Sequence, residues 1–488
     1  MASIAPHAQP LDTGPSGKAA PQTAASGIPG RRLIRFAALG MPLAAVEVPL
    51  STYLPALYAG ALGFSLTTVG LIFLAARLWD AVIDPGIGIL SDRTRTRFGR
   101  RRPWIAAGGA IFLIGAVPVF LPPDSFGPAA LSLALFTLYL GYSMIATPFA
   151  AWGGELAGQY HERTRIATYG QVMTSIALLL ALILPSLMAS RFAAEPRLQL
   201  AAMGLMVFVL FVPSLVLGLT ALPEPPAPVR TAPPEGFWRG LRMVFTDRLL
   251  LRVLASNFAV RLGQGVRTAA FVFFVAHYMG KPTWAPGLFL LQYVFGILAC
   301  PLWLAIGRRL GKTRAAVAGE LVQVVINLGL VLVVPTSFPL LVALTMAQGL
   351  AQGSGNLMLR SIVADVADHH RLTTGEDRLG LFFSVFSLSD KAAFAVAVGI
   401  ALPLLGWLGF DPRQANAPAV LEHLKLVFAL GPALAHLVSA LVIRGFPLSE
   451  TSHNEVRRML AARDAVGLYS DARRDGMLAS ADGPAPRC

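Results

Sequence analysis

The stretch of sequence that decides the fold is 66–104, LTTVGLIFLAARLWDAVIDPGIGILSDRTRTRFGRRRPW. Its first part, 66–90, is almost wholly apolar and exceeds the ~20 residues that a helix needs to cross the hydrocarbon core of a bilayer. Six arginines follow between Arg93 and Arg102. Because basic residues collect in the cytoplasmic loops of membrane proteins, the stretch predicts a membrane-spanning helix that ends in a cytoplasmic loop.

The composition extends this interpretation to the whole chain. Of 488 residues, 55% are hydrophobic and 14% are charged, and the mean hydropathy is +0.62. A soluble protein carries roughly 25% charged residues, because its surface must be hydrated. The formal net charge of +14 does not indicate nucleic-acid binding, since the basic residues lie in short clusters between apolar segments. The full phosphate-binding motif Gly-x-x-x-x-Gly-Lys-Ser/Thr does not occur, so we do not expect ATP as a partner.

Apolar segments of spanning length recur along the chain. They are, in order, 34–59, 66–90, 104–121, 129–154, 165–189, 201–222, 251–279, 285–306, 314–335, 338–364, 380–405 and 425–445. These twelve segments form two sets of six. The predicted fold is therefore an all-α membrane protein with twelve transmembrane helices in two six-helix bundles, which is the layout of the major facilitator superfamily.

The pattern divides the chain into five regions. We expect a disordered cytoplasmic tail at 1–30, an N-terminal bundle at 31–222, a solvated cytoplasmic linker at 223–250, a C-terminal bundle at 251–445 and a cytoplasmic tail at 446–488. The linker is rich in proline, which suits an extended connection between two bundles.

Helix two carries three ionisable residues inside its apolar segment, Arg77, Asp80 and Asp84. Spacings of three and four residues place them on one helical face. A charge inside a membrane helix costs about 3 kcal/mol or more unless it has a partner, water or a function. Two carboxylates one turn apart can be neutralised by a proton or by a metal ion. The alternative is a structural ion-pair network that ties helix two to a neighbouring helix.

The residues around this cluster resemble a known family. The run Ser91-Asp-Arg-Thr-Arg95 leads into an Arg-rich Pro-Trp, and related motifs are Trp152-Gly-Gly-Glu-Leu156, Arg360-Ser-Ile-Val-Ala-Asp365 and Asp390-Lys391. They are similar to motifs of the glycoside–pentoside–hexuronide:cation symporter family of the major facilitator superfamily. The resemblance implies a secondary active transporter, not an enzyme, that carries a small sugar or glycoside together with a proton or sodium ion by alternating access. It implies no cofactor besides the transported cation.

The resemblance also implies roles for particular residues. Asp80 and Asp84 match the family's cation-binding carboxylates, and Ser143 keeps a hydroxyl where the family's best-known member has a threonine. Arg77 and Lys391 match residues beside the cation and substrate sites. Ile83 stands where that member has an asparagine ligand. Because isoleucine offers no oxygen to sodium, this departure favours coupling to a proton.

The sugar-binding positions depart further from the family. Two aspartates and a tryptophan that grip the sugar align with Ala44, Ala146 and Ala150. Glu47, one turn from Ala44, is a candidate substitute. The loss of polar groups leaves a second hypothesis open, the symport of an amphiphilic or lipid-like solute. A non-transporting membrane sensor is the alternative from another functional class.

Helix seven offers a further polar face, made by Asn257, Arg261 and Gln264. Residues at these spacings lie on one side of a helix, so we interpret them as lining the substrate cavity. The alternative is that this group pairs with acids such as Glu320 or Asp365.

The loop after helix two is a candidate cytoplasmic gate that closes through salt bridges. Its members are Asp92, Arg93, Arg95, Arg97, Arg100 and Arg101. The alternative is that these arginines only set the orientation in the membrane. We expect a monomer whose partners are the lipid bilayer and a small-molecule substrate, with no metal site beyond a sodium ion.

The distribution of basic residues predicts the orientation in the cytoplasmic (inner) membrane. The loops at 59–65 and 121–128 carry no Lys or Arg, whereas the loop after helix two carries six. Both termini are therefore expected in the cytoplasm. A tag inserted at residue 10 should stay unlabelled by a membrane-impermeant reagent that is applied to intact cells. Labelling before the cells are permeabilised would contradict this orientation.

Overall fold

The computed structural model describes residues 28–156, 160–191, 196–224, 246–376, 378–448 and 452–463. The first six long helices in these ranges are α1 (Gly30–Gly60), α2 (Leu66–Arg93), α3 (Arg102–Phe120), α4 (Pro128–Glu155), α5 (Tyr160–Arg191) and α6 (Pro196–Ala221). The next six are α7 (Arg248–Tyr278), α8 (Ala285–Leu310), α9 (Lys312–Gly329), α10 (Phe338–Thr374), α11 (Leu379–Trp407) and α12 (Pro418–Ile443). The predicted all-helical membrane fold is confirmed.

Eleven helices in the described part of the chain are long and apolar enough to cross a bilayer. The exception is α10, because Gln348, Gln352 and Asn356 lower its hydropathy. These side chains do not need to face lipid, since α10 packs against α8 and α9. For example, Gln292 of α8 donates a hydrogen bond to Gln352 at 3.0 Å. The tenth predicted segment, 338–364, is therefore a helix packed inside the bundle, and this helix continues to Thr374.

Local sequence signals determine where several helices begin and end. Ser65 caps α2 by accepting a hydrogen bond from the backbone N–H of Thr68 at 3.0 Å, and Asp247 caps α7 through the N–H groups of Leu249 and Leu250. Gly311 has φ +79° and separates α8 from α9. Such a conformation is accessible to glycine at little cost. The short connection makes α8 and α9 antiparallel neighbours.

The two halves of the molecule contact each other through equivalent helices. The packing of α2 against α11 is repeated by α8 against α5, as expected for two bundles related by a pseudo-two-fold axis. The α2–α11 contact is close at one end, where a Cβ on Gly70 would lie 2.7 Å from Pro403 Cδ. At the other end of α11, a Cβ on Gly380, eleven residues before Lys391 and on the same helical face, would meet no atom within 4 Å. The α2–α11 contact is therefore close at the Gly70 end, whereas this face of α11 is open at the Gly380 end.

Loops between helices add to the contact at the closed end. Arg413, in the α11–α12 loop, donates a hydrogen bond to the carbonyl of Gly63 in the α1–α2 loop at 3.2 Å. The same guanidinium donates to both carboxylate oxygens of Asp411 at 2.9 and 2.8 Å. These hydrogen bonds hold the pKa of Asp411 below its usual range.

The predicted C-terminal tail contains one described element, a helix at 452–463. Its Val456 and Leu460 are buried, and His453 Nε2 lies 3.5 Å from Asp365 Oδ1 near the end of α10. Residues 1–27 of the predicted N-terminal tail, 1–30, lie outside the described residues. Residues 225–245 of the predicted linker, 223–250, also lie outside them.

Candidate coupling site at the junction of the two halves

The centre of the candidate site is a lysine between two aspartates. Lys391 of α11 places its Nζ 2.8 Å from Asp80 Oδ2 and 2.5 Å from Asp84 Oδ2, both on α2. The Asp80 side chain is fully buried, whereas 22% of the Lys391 side chain and 28% of the Asp84 side chain are exposed. Because one ammonium faces two carboxylates, the three groups keep one formal negative charge.

Two hydroxyls of α4 hold the other carboxylate oxygens. Ser143 Oγ donates to Asp80 Oδ1 at 2.8 Å, and Thr147 Oγ1 donates to Asp84 Oδ1 at 3.3 Å. Ser143 and Thr147 are one turn apart, as are Asp80 and Asp84, so the two helices match in register. Sequence reasoning singled out Ser143 and missed Thr147, although the four-residue spacing was a visible signal.

Arg77 does not touch this lysine but pairs with Glu47 of α1. The Arg77 Nη2–Glu47 Oε1 distance is 2.6 Å, and the Arg77 side chain is 8% exposed against 44% for Glu47. The guanidinium also lies 5.0 Å from the ring centroid of Tyr139 and 5.6 Å from that of Phe394. Burial between aromatic rings makes such a contact with a cation favourable. Glu47 is therefore an accessible carboxylate that a buried arginine holds in position.

The polar face of α7 meets α11 beside the lysine. Asn257 Nδ2 and Arg261 Nε each donate to Asp390 Oδ1 at 2.8 Å, and Arg261 Nη1 donates to Gln264 Oε1 at 3.3 Å. Sequence reasoning gave Asp390 no role, although it directly precedes Lys391. The alternative pairing of this face with Glu320 or Asp365 is wrong.

Both of those acids have other partners. Glu320 Oε2 lies 2.6 Å from His436 Nδ1, and Asp365 accepts from Lys312 at 2.7 Å. A local sequence pattern cannot reveal either pair, because the partners are far apart along the chain.

The predicted gate residues divide into two groups. Arg101 Nη2 lies 2.5 Å from Asp92 Oδ1 and 2.7 Å from Glu155 Oε1, and Arg100 Nη2 lies 2.7 Å from Glu155 Oε2. These ion pairs join α2, the α2–α3 loop and α4. The remaining arginines are exposed; they are Arg93, Arg95 and Arg97. These three ion pairs therefore lie within the N-terminal half.

Glu224, just after α6, anchors the same loop. Its carboxylate accepts hydrogen bonds from the backbone N–H groups of Arg100, Arg101 and Arg102 at 2.5, 3.0 and 2.6 Å. These N–H groups stand at the start of α3, where unpaired donors and the helix dipole attract an anion. Sequence reasoning missed Glu224 because it assigned the residue to a solvated linker.

A cavity of about 460 Å³ lies among the ends of α1, α4 and α5. Its lining is apolar or glycine and includes Phe36, Phe149, Ala150, Gly153, Ile166 and Gly170. Ala150 is one of the positions at which the sequence departs from the sugar-binding pattern. Ala150 also follows Thr147, the partner of Asp84, by one turn of α4. Ala150 therefore joins the cavity lining to the segment of α4 that carries Thr147.

A family model described as "MFS/sugar transport protein" matches residues 35–450. The chain belongs to this family. It is consequently a multi-pass membrane transporter of small molecules and not an enzyme.

The glucuronide carrier protein homolog of Escherichia coli is 24% identical to the chain, over 83% of this chain and 89% of that protein. The human sodium-dependent lysophosphatidylcholine symporter 1 is 22% identical, over 81% and 79%. Among solved structures, the nucleoside transporter NupG matches with a TM-score of 0.62 at 13% identity, over 85% of this chain and 100% of that one. At this identity the last likeness shows the fold alone.

The lysine between two aspartates generates a stability prediction. Lys391→Met should destabilise the purified protein by about 3 kcal/mol, because it leaves two carboxylates together with one of them fully buried. Adding Asp80→Asn should recover part of this loss. Thermal unfolding in detergent measures both, with Lys281→Met, outside the cluster, as a control that should cost at most about 1 kcal/mol. If the losses in unfolding free energy of the two substitutions simply add in the double variant, Asp80→Asn does not compensate for the missing lysine.

Proposed function

We propose that the protein is a cation-coupled symporter of a small polar solute, a sugar or glycoside, that works by alternating access. The observation that carries this proposal is the Lys391 ammonium between Asp80 and Asp84, where α11 of one half meets α2 of the other. A transported cation can take the place of the ammonium. Cation binding is then linked to the contact that joins the two halves.

The coupling follows from the charge of the cluster. With Lys391 in place, one negative charge remains, so one monovalent cation neutralises the three groups. With one carboxylate neutralised by the cation, the two aspartates attract Lys391 less strongly, because the Coulomb term is large where water is scarce. The released ammonium becomes available to a solute hydroxyl, and α11 can separate from α2.

The solute site in this proposal is built from polar groups of both halves. Glu47 of α1 and Arg261 of α7 are 44% and 32% exposed. Arg77 fixes Glu47, and Asp390 fixes Arg261, so each is positioned for hydrogen bonds to hydroxyls. Gln264 extends the donor and acceptor set. The name of the glucuronide carrier homolog supports a sugar-like solute.

The proposal includes the orientation of the protein in the membrane. The arginine-rich loop after α2 and both termini face the cytoplasm of an inner membrane, as the basic residues indicate. The end closed by Arg413 and Gly63 is then outside, and the open face of α11 at Gly380 lies towards the cytoplasm. Asp92, Arg100, Arg101 and Glu155 form the fixed part of a cytoplasmic gate that closes when the halves approach on that side.

The proton is the proposed cation. Ile83 removes one oxygen from the sodium shell that the family resemblance implies, and a proton needs only a carboxylate in apolar surroundings. Sodium is the second candidate, since Thr147 adds a hydroxyl oxygen beside Asp84 and several oxygens suit a hard cation.

Transport in proteoliposomes tests the coupling. Asp80→Asn and Asp84→Asn should each reduce the accumulation of solute against its concentration gradient at least about tenfold. Each substitution removes one of the two carboxylates that bind the cation in this proposal. Proton entry should accompany solute entry in the unmodified protein and be lost in both variants. Asp124→Asn, at a carboxylate that is 91% exposed, is the matched control and should transport normally.

Normal accumulation by both cluster variants would reduce the cluster to a structural ion pair. Transport that depends steeply on sodium at fixed pH, with no proton movement, would overturn the choice of cation but retain the coupling. In a proton-coupled protein, Ile83→Asn should introduce sodium stimulation, since it restores an amide oxygen.

The apolar cavity favours a second candidate, the symport of an amphiphilic solute. Phe36, Phe149 and Ile166 surround a volume of about 460 Å³, which is the size of a small-ligand pocket. Ala150 and Gly170 leave this space open. A polar head at the cluster and an apolar portion in the cavity would fit this arrangement, and one relative is a lysophosphatidylcholine symporter by name.

Filling the cavity distinguishes the two solute classes. Ala150→Trp should reduce the uptake of an amphiphile, such as a long-chain alkyl glycoside or a lysolipid, at least about tenfold, because the indole fills the cavity. A simple glycoside should still be transported. Gly127→Ala, in open space outside the cavity, is the control. Equal effects on both solute classes would remove the reason for the second candidate.

A further inference from the structure

A second buried ionisable pair lies in the C-terminal half, away from the cluster on α2. Glu320 of α9 places Oε2 2.6 Å from Nδ1 of His436 on α12, and the two side chains are 2% and 1% exposed. Glu320 is the one glutamate among the described residues that is buried. A carboxylate and an imidazole at this distance share a hydrogen bond through a proton on one of the two atoms.

The surroundings leave room for this carboxylate. A Cβ on Gly355 of α10 would lie 2.1 Å from Glu320 Oε1 and 3.7 Å from a methyl carbon of Val260 on α7. Any larger residue at 355 would therefore displace the carboxylate. His436 Nε2 is buried and has no hydrogen-bond partner within the described ranges. One ring nitrogen is thus satisfied by Glu320, while the other stands without a partner.

Most charged groups on the helices packed against the pair are engaged elsewhere. On α7, Arg261 binds Asp390 and Arg252 binds backbone carbonyls at the end of α12. Asp365 of α10 binds Lys312, and Lys425 of α12 binds Glu422. On α8, Arg308 and Arg309 lie in the exposed last turn.

Arg267 of α7 differs from these groups. It is 4% exposed, its Nη1 donates to Asn327 Oδ1 at 3.3 Å, and it forms no ion pair with a described carboxylate. Nε and Nη2 have no hydrogen-bond partner among the described residues. Asn327 follows Glu320 by seven residues, about 10 Å along α9. Arg267 is therefore a buried positive charge without an ion-pair partner among the described residues, and it contacts α9 about two turns from Glu320.

Two opposing effects act on the protonation of the pair. Glu320 as carboxylate with a neutral His436 carries one negative charge, and one further proton makes the pair neutral. Burial away from water favours the neutral state. The positive charge of Arg267 favours the negative state. The pair can therefore take up one proton without acquiring a net charge.

We propose that Glu320 and His436 form a proton-binding site in the C-terminal half, distinct from the cluster of Asp80, Asp84 and Lys391. The site takes up one proton per chain, on His436 Nε2 or on the Glu320 carboxyl. The proposal does not depend on which solute or which cation the transporter carries.

Solid-state NMR of the full-length protein in lipid bilayers, labelled with ¹⁵N-histidine, tests the proposal. The shifts of imidazole nitrogens distinguish bare from protonated atoms. Between about pH 8 and about pH 5, the His436 signals should change from one protonated nitrogen to two, or exchange which nitrogen is protonated. In Glu320→Gln this change of the His436 signals should be lost over the same range, because no carboxylate compensates the charge of the added proton. His436 signals that stay constant over this range in the unmodified protein would overturn the proposal.

Assignment and controls keep the result unambiguous. His436→Gln should remove the titrating signals, whereas His423→Gln, at an exposed position of the same helix, should leave them. If His436→Gln does not fold, a ¹³C-carboxyl glutamate label in the unmodified protein identifies His436 through its 2.6 Å contact. Asp80→Asn should leave the titration unchanged, and a shift in that variant would show that the two sites are one.

Discussion

The cost of a charge in a membrane is the constraint on which the structure depends. Asp80, fully buried in α2, is compensated by Lys391 of α11 at 2.8 Å and by a hydroxyl of α4. The compensating cation belongs to the other half of the molecule. An ion pair of this kind holds the two halves together only while the carboxylates are charged.

Close packing around this junction limits how the halves can move. A Cβ at Gly141 of α4 would lie 2.2 Å from the backbone nitrogen of Phe112 in α3, and one at Gly349 of α10 would lie 2.3 Å from the carbonyl oxygen of Gln292 in α8. Small residues at such positions let helix backbones approach without a hydrophobic driving force. Helices within a half are thus tightly joined, whereas α11 contacts α2 near Gly70 and is open at Gly380. Motion between rigid halves is the natural consequence.

The arginine-rich loop after α2 contains exposed arginines and a buried, ion-paired one. Its exposed arginines, such as Arg95, act through charge alone and can set orientation. Arg101, in contrast, is buried between Asp92 and Glu155, and Glu224 holds the start of α3 through backbone N–H groups. The loop is therefore a firm part of the N-terminal half, against which a partner surface of the other half can close.

The sequence by itself determined the helical membrane fold, since apolar length and basic loops act locally and are read directly from the chain. It also identified Asp80, Asp84 and Ser143, because helical spacing and family motifs mark them. Only the tertiary structure decided the partners, such as Glu47 for Arg77 and Asp390 for Arg261. Those pairs join residues far apart in the chain, and which charges meet depends on how helices pack. The burial of His436 against Glu320 has the same origin, because a lone histidine or glutamate in an apolar helix carries no local sign of its partner.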